Sequence, residues 1–336
     1  MSERSVVDGG RERTEATPKA LYTLMMRISA LEDGILKALS AGTFRAPFYP
    51  VRGLEPACAA VGLALKPTDY IVSTYRCLGD VLAKGVPMRE IMAELFGRAA
   101  GTSKGKGGSM HMAAPDYGLM ATTGVVGAGM PIAAGLGLAA LWDGADRVVV
   151  TTFGDGASST GAFHESLNLA SLWSLPVVFL CQNNQWGEHT SIDDYTRQPV
   201  IATRAEAVTM KTIRVDGFDS MAVFSAVREA VDHARMQRAP VFLESVTFRL
   251  RPHAYGTDEP YIPKSKREAA IEKDPVPNMR RLLINSGALT VDEVSSIDEA
   301  ILVEVDDAIR FAESAPPTPI GEMMTDVYAS TGGMPL

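Results

Sequence analysis

The sequence predicts an α/β protein: a mostly parallel sheet with helices on both faces. Two observations carry this. Short apolar runs rich in β-branched residues alternate with longer stretches of helical periodicity, the order that produces parallel strands joined by helical crossovers. One whole unit of this kind is legible in the stretch RVVVTTFGDGASSTGAFHESLNLASLWSLPVVFLCQNNQWGEHT, which begins at Arg147. Residues 148–153 read as a buried strand, Gly154-Asp155-Gly156 as a tight turn, and Ser158, Ser159 and Thr160 as candidate N-caps of a helix running to Leu172. Leu175 and Pro176 restart the chain into a second buried strand, 177–181, which ends at Gln182-Asn183-Asn184. A right-handed crossover between parallel strands puts Asp155 and Asn184 at the carboxyl ends of the two strands it joins, where open parallel sheets bind ligands.

The other elements follow in order. Residues 1–20 are polar and mixed in charge, without the apolar stretch of a signal peptide or membrane anchor, and are expected to form a disordered tail. Residues 21–39 place Leu21, Leu24, Met25, Ile28, Leu31, Ile35 and Leu39 at helical spacing. Residues 44–53, with Pro47 and Pro50, are irregular; 55–65 is a helix ended by Pro67-Thr68. Residues 69–76 are a strand finishing in Tyr75-Arg76, and 86–96 are helical. Further on, 211–215 and 241–248 read as strands flanking a helix at 220–238, and 249–263 as a polar loop. Residues 268–314 look helical and surface-lying. The expected organisation is a tail at 1–20, an α/β domain at 21–270 and a C-terminal helical extension at 271–336.

Several functions are disfavoured. A formal net charge of −8 over 336 residues argues against a nucleic-acid partner. Residues 117–142 carry no charge and are long enough to span a bilayer, but Pro131 interrupts them and Gly and Ala dominate. They read instead as a buried helix, 131–142, at a subunit contact. Cys58, Cys77 and Cys181 have no metal-ligand spacing and suit reduced thiols in a cytoplasmic protein. The run from Gly101 to Met112 looks like a phosphate loop, yet Ala100 and Gly107 stand where a Walker A motif needs Gly and Ser/Thr. A dinucleotide fingerprint fails likewise at Ser159.

The strand tips carry the chemistry. A carboxylate and a side-chain amide oxygen are hard ligands suited to Mg²⁺ or Ca²⁺, not zinc. Mg²⁺ takes few protein ligands and completes its shell with phosphate oxygens and water. Gly156 lets a phosphate approach the backbone, and a helix N-terminus is expected to point at it. Together these read as a diphosphate held through a divalent cation.

Gly154-Asp155-Gly156 followed one unit later by Asn183-Asn184 resembles the thiamine diphosphate signature. From about residue 21 to 275 the chain resembles the alpha subunit of the first component of 2-oxo acid dehydrogenases of the pyruvate, branched-chain and acetoin types. That resemblance implies the thiamine diphosphate-binding fold and a cofactor pair of thiamine diphosphate and Mg²⁺. Tyr75 and Arg76 would contact the diphosphate, with Gly156 and Ala157 beside it. Gly124 and Val126 would hold the aminopyrimidine. Asp155, Asn184 and the backbone carbonyl of Trp186 would bind the metal; relatives usually have Tyr at the last position. His253, after Thr247-Phe248-Arg249, matches a loop histidine credited with binding the intermediate and assisting acyl transfer to lipoamide. Tyr49 falls at a substrate-pocket position. Ala254 replaces a serine that mitochondrial relatives phosphorylate. His189 is a further candidate by position, as an acid or base near neutral pH. No catalytic role is expected for Lys106 or His111.

The resemblance also implies partners. The glutamate needed at the aminopyrimidine comes from a second α/β domain, for which this chain is too short. A separate beta subunit in a two-alpha, two-beta assembly is therefore expected, with a lipoyl-bearing acyltransferase as acceptor. The substrate, pyruvate, another 2-oxo acid or acetoin, is left open. A self-contained thiamine enzyme of the transketolase or acetolactate synthase type, or a non-catalytic nucleotide-binding protein, are the alternatives.

Overall fold

The computed structural model describes residues 15–326, together with the backbone of a short antiparallel pair, Val6–Asp8 with Arg11–Arg13. The remaining residues of the expected disordered tail lie outside the described residues, as do residues 327–336.

Six strands form one sheet: β1 Tyr70–Thr74, β2 Leu119–Thr123, β3 Val149–Gly154, β4 Val177–Asn183, β5 Lys211–Asp216 and β6 Val241–Val246. Their order is β2-β1-β3-β4-β6-β5, and every pairing is parallel. The predicted fold class is the observed one. Gly154 lies opposite Gln182, so β3 and β4 end at the same level.

The helices are α1 Pro18–Ser40, α2 Glu55–Ala64, α3 Leu78–Ala83, α4 Met88–Leu95, α5 Gly129–Trp142, α6 Gly161–Leu172, α7 Ile192–Tyr195, α8 Ala202–Glu206, α9 Ser220–Gln237, α10 Lys264–Ile271, α11 Pro275–Asn285 and α12 Val291–Ser314. Alternation along the strands divides them between two cores. Val150, Val178, Leu180 and Leu243 belong to the core that α1, α2, α9 and α12 complete. Val149, Phe153, Val177, Phe179 and Phe242 face α5, α6 and α8. Both faces are covered, which is why the central strands read as continuous apolar runs.

Local chemistry sets the helix ends. Thr17 accepts a hydrogen bond from the Ala20 backbone N–H at 3.1 Å and starts α1 at Pro18, three residues before the first apolar residue of its stripe. Asp219 caps α9 through the backbone N–H groups of Met221 and Ala222. Thr290 and Glu293 form a reciprocal capping box at α12.

Four expectations change. The strand β2 was hidden inside the uncharged stretch, because Leu119–Thr123 has mixed burial and no clean alternation. The short α3 is absent from the sequence reading. The helix α5 is not buried all round: Ala133, Ala134, Gly137 and Ala140 pack inward, while Pro131, Ile132, Gly135 and Trp142 face out, Trp142 at 79% exposure. Finally, α12 does not lie on the surface. It packs against α1 and α4, and Val294, Ile301, Val305, Ala308 and Ala312 enter the main core.

Replacing Ile301, which is 4% exposed, by Ala should therefore cost about 2–5 kcal/mol of unfolding free energy in a denaturant melt of the whole chain. A loss below about 1 kcal/mol would mean that α12 is an appendage.

Candidate active site

The site begins where β3 and β4 end. Their common level brings Asp155 and Asn184 together: Asp155 Oδ1 accepts the Asn184 backbone N–H at 3.2 Å. Asn184 Oδ1 in turn accepts the Trp186 N–H at 3.1 Å, folding the chain back over the strand tip. Gln185 and Glu188 take left-handed backbone angles, φ 73° and 56°, and Trp186–Gly187 pairs with Thr190–Ser191 in a two-residue ladder. Strained non-glycine residues on both sides of a ligand loop fit a functional segment.

Asp155 is fully buried. Burial pushes its carboxyl above the usual range, against the hydrogen bonds from Tyr195 and from the backbone. The Tyr195 hydroxyl donates to Oδ2, an interaction the sequence did not disclose, since Tyr195 lies 40 positions away. The turn after β3 is not the start of an α-helix. Asp155–Ser159 forms a 3₁₀ turn, and α6 begins only at Gly161, capped by Thr160 on the Phe163 N–H. Of the three hydroxyl candidates Thr160 is thus the N-cap, and the segment that lines the cleft at Gly156 is the 3₁₀ turn.

Above the tips lies a cleft of about 280 Å³. Its lining includes Tyr75, Arg76, Val126, Gly156, Ala157, Asn184, Trp186 and His253 from the sequence-selected set, with Gln182 and Glu188 as additions. Asp155 sits beneath the floor. Gly124 is set back beside His111, whose Cε1 would lie 3.4 Å from an added Cβ. Tyr49 stands behind the cleft wall, ring centroid 4.7 Å from Tyr75 and 5.5 Å from His253, both edge-on.

Arg76 is buried just past the end of β1. One terminal nitrogen donates to the Pro50 carbonyl and the other to the His253 carbonyl at 3.0 Å, so the guanidinium is held rigidly at the cleft wall. His253 Nδ1 lies 3.4 Å from Arg76 and 3.3 Å from Arg249. Burial, then these two guanidinium charges, drives its pKa down to about 3. His253 is therefore a neutral imidazole at physiological pH. His189 approaches it, ring centroids 6.5 Å apart, with Tyr261 between the loops at 4.8 Å from His189.

The polar loop after β6 is organised by charge. Arg249, 1% exposed, pairs with Glu259 at 3.0 Å, and Glu259 also binds Arg267 at 2.7 Å. Arg251 reaches across to Glu32 at 3.0 Å and to Asp33. Glu32 and Glu55 are both buried beside the segment 50–53, accepting the Val51 and Gly53 N–H groups. Burial foremost raises them to about 7 and about 8 respectively. Arg249, Glu259 and Glu32 carried no sequence signal as site residues: Arg249 and Glu259 pair within one irregular loop, and Glu32 meets Arg251 from far along the chain.

The glycine-rich run is a nest that is already filled. Glu94 of α4, fully buried, accepts Ser103 N–H at 2.7 Å and Gly105 N–H at 2.9 Å on one oxygen. The other oxygen takes Gly107 N–H at 2.7 Å and Gly108 N–H at 3.0 Å. An added Cβ at Gly107 would sit 2.0 Å from the His111 carbonyl, so the loop is closed around its own carboxylate.

Among the described residues no cluster of three or more His, Cys, Asp or Glu could hold a metal ion. A cation at the strand tips would rest on one carboxylate, one amide and a backbone carbonyl, and would draw its remaining ligands from phosphate and water. That donor set, all oxygen, fits Mg²⁺. The three cysteines are free and buried, and among the described residues no helix is long and apolar enough to cross a membrane.

Fold and cleft together define a class: an α/β protein with a cleft at the carboxyl tips of a parallel sheet, a carboxylate–amide pair below it and an arginine at its wall. More closely, the chain belongs to the dehydrogenase E1 component family, whose model matches residues 23–320. It is similar to the alpha subunit of acetoin:2,6-dichlorophenolindophenol oxidoreductase of Bacillus subtilis (strain 168), 37% identical over 328 residues that cover 97% of this chain and 98% of that protein. The pyruvate dehydrogenase E1 component subunit alpha of Rhizobium meliloti (strain 1021) is 37% identical over 307 residues, 91% of this chain and 88% of that one. The human somatic, mitochondrial pyruvate dehydrogenase E1 component subunit alpha is 35% identical over 313 residues, 92% and 79%.

Two outcomes are expected. The His253 ring should show no titration by NMR between about pH 5 and 8, since its pKa is held near 3 against an ordinary 6.5. The unfolded chain takes this proton first, so the contribution of His253 to stability is full above about pH 6.5 and lost as pH falls toward 3; a ring midpoint near 6 would refute it. Changing Glu94 to Gln removes an acceptor oxygen from the nest and should expose residues 101–108 to limited proteolysis at least about tenfold faster.

Proposed function

We propose that the chain is the alpha subunit of a thiamine diphosphate- and Mg²⁺-dependent 2-oxo acid (pyruvate-type) or acetoin dehydrogenase, an oxidoreductase component that cleaves its substrate and passes the acyl group to lipoamide. One observation carries the reading. In a member of the dehydrogenase E1 component family, Asp155 and Asn184 meet below a cleft whose wall is Tyr75, Arg76 and His253.

The residues divide the work. Asp155, the Asn184 amide and the Trp186 carbonyl would hold the cation. Arg76, fixed by two backbone carbonyls, offers its charge to the diphosphate, with Tyr75, Gly156 and Ala157 around it. Val126 and Gly124 would seat the aminopyrimidine. When bound, thiamine diphosphate supplies the nucleophilic carbon and the electron sink for breaking the bond beside the substrate carbonyl. His253, uncharged between two arginines, presents a ring able to accept a hydrogen bond or a proton as charge shifts in the cleft. Tyr49 backs the pocket at its substrate end. Loop 249–263, tied down by Arg249–Glu259 and Arg251–Glu32, holds His253 in place.

The site is half of one. The sheet described here offers a single diphosphate tip, and Val125 and Val126 beside the cleft are 67% and 51% exposed. A beta subunit would cover them and bring the glutamate for the aminopyrimidine, in a two-alpha, two-beta assembly. A lipoyl-bearing acyltransferase would take the product, in the cytoplasm.

Calorimetry with thiamine diphosphate and Mg²⁺ should show saturable binding that Asp155→Ala weakens at least about a hundredfold. Turnover of pyruvate, acetoin and branched-chain 2-oxo acids should require co-expression with a beta-type subunit; full activity of this chain alone would sink the half-site reading.

A further inference from the structure

A second layer of residues surrounds the strand tips, and three of them, Tyr195, Arg204 and Glu244, belong to none of the motifs above. Tyr195, at the end of α7, packs its ring edge Cε1 against Gly187, 3.4 Å from where a Cβ would stand, and its hydroxyl donates to Asp155 Oδ2. The next residue, Thr196, accepts from Arg204 Nη2. Arg204 Nη1 reaches back to the turn that holds Asp155, donating to the Ser158 carbonyl at 2.7 Å and the Ser158 hydroxyl at 3.1 Å. The base of α8, which carries Arg204, is fixed in turn. Glu244, fully buried at the heart of β6, accepts the Ala202 N–H at 3.0 Å and the Asn183 side-chain amide at 2.7 Å. The path closes on itself: Asp155, Tyr195, Arg204, Ser158, and through Glu244 to the neighbour of Asn184.

From this ring we infer that Tyr195 is a positioning residue for the cation, orienting the Asp155 carboxylate while Arg204 ties Thr196, the residue after it, to the Ser158 turn. The inference rests on the reading of Asp155 as a cation ligand. Lone pairs decide it. An ionised carboxylate has about four acceptor sites. The Asn184 N–H occupies one on Oδ1, the Tyr195 hydroxyl one on Oδ2, and one on each oxygen is left for a metal. A donor on each oxygen restrains the carboxylate against rotation. Without the phenol, Oδ2 is a buried acceptor with no partner, free to turn onto another donor.

The test uses the full-length chain assembled with its beta subunit, Mn²⁺ as the probe and thiamine diphosphate at fixed saturating concentration. Free Mn²⁺ is read by electron paramagnetic resonance. Tyr195→Phe keeps the ring against Gly187 and removes only the hydroxyl. It is expected to weaken Mn²⁺ binding about tenfold, to leave turnover at saturating Mn²⁺ within about twofold of wild type, and to lower the metal-free melting temperature by only a few degrees. Arg204→Gln should weaken Mn²⁺ binding in the same direction. Unchanged or tighter Mn²⁺ binding in Tyr195→Phe, with Asp155→Asn unable to bind, overturns the positioning role alone. If wild type does not bind Mn²⁺, or Asp155→Asn binds as wild type does, the cation reading fails and this inference goes with it.

Discussion

One parallel pairing governs the molecule. Residues 149–154 and 177–183 lie side by side with Gly154 opposite Gln182, and the chain leaves both strands at the same height. A shift of register by one residue would turn every side chain of one strand to the other core. The apolar alternation that assigns Val150 and Val178 to one core and Val149 and Phe179 to the other therefore also fixes Asp155 beside the Asn184 backbone. Packing and chemistry share a single constraint, and the cleft inherits its geometry from the hydrophobic faces.

Around that pairing, buried acids organise the loops. Glu94 draws in four backbone N–H groups of a glycine-rich run. Glu32 and Glu55 hold the segment whose Pro50 carbonyl fixes Arg76. Glu244 ties the Asn183 side chain to the start of α8, and Glu259 joins Arg249 to Arg267. A carboxylate out of water is costly unless donors surround it. Each of these acids accordingly fixes the backbone that supplies its donors. The irregular segments are held by such bonds together with a small apolar cluster that includes Trp186, Phe248, Leu250 and Ile262.

The same logic shapes His253. Two guanidinium groups and burial keep its ring neutral, and the Arg76 that helps to discharge it is the one that binds its carbonyl. The cleft wall thus presents fixed positive charge at Arg76 beside an uncharged base. On the outer side, α5 shows the combination expected of a partly covered helix: small residues inward, Ile132 and Trp142 outward.

Much of this was legible in the chain. The βαβ rhythm and the tips at Asp155 and Asn184 rest on local patterns, because strand runs, turns and short spacings are written in consecutive residues; the arginine after β1 and the histidine of the later loop stood out only through the family resemblance. Strand β2 was not legible, its alternation being lost between two faces of unequal burial, nor was the core position of α12, whose apolar stripe also suits a surface helix. Nothing in sequence order links Tyr195 to Asp155, Glu94 to the glycine run or Arg251 to Glu32. Those bonds join residues brought together only when the sheet closes, and a side chain's partner across space depends on every element packed between them. Sequence alone determined five of the six sheet strands and the residues that end β3 and β4; tertiary structure alone decided which buried charges meet there.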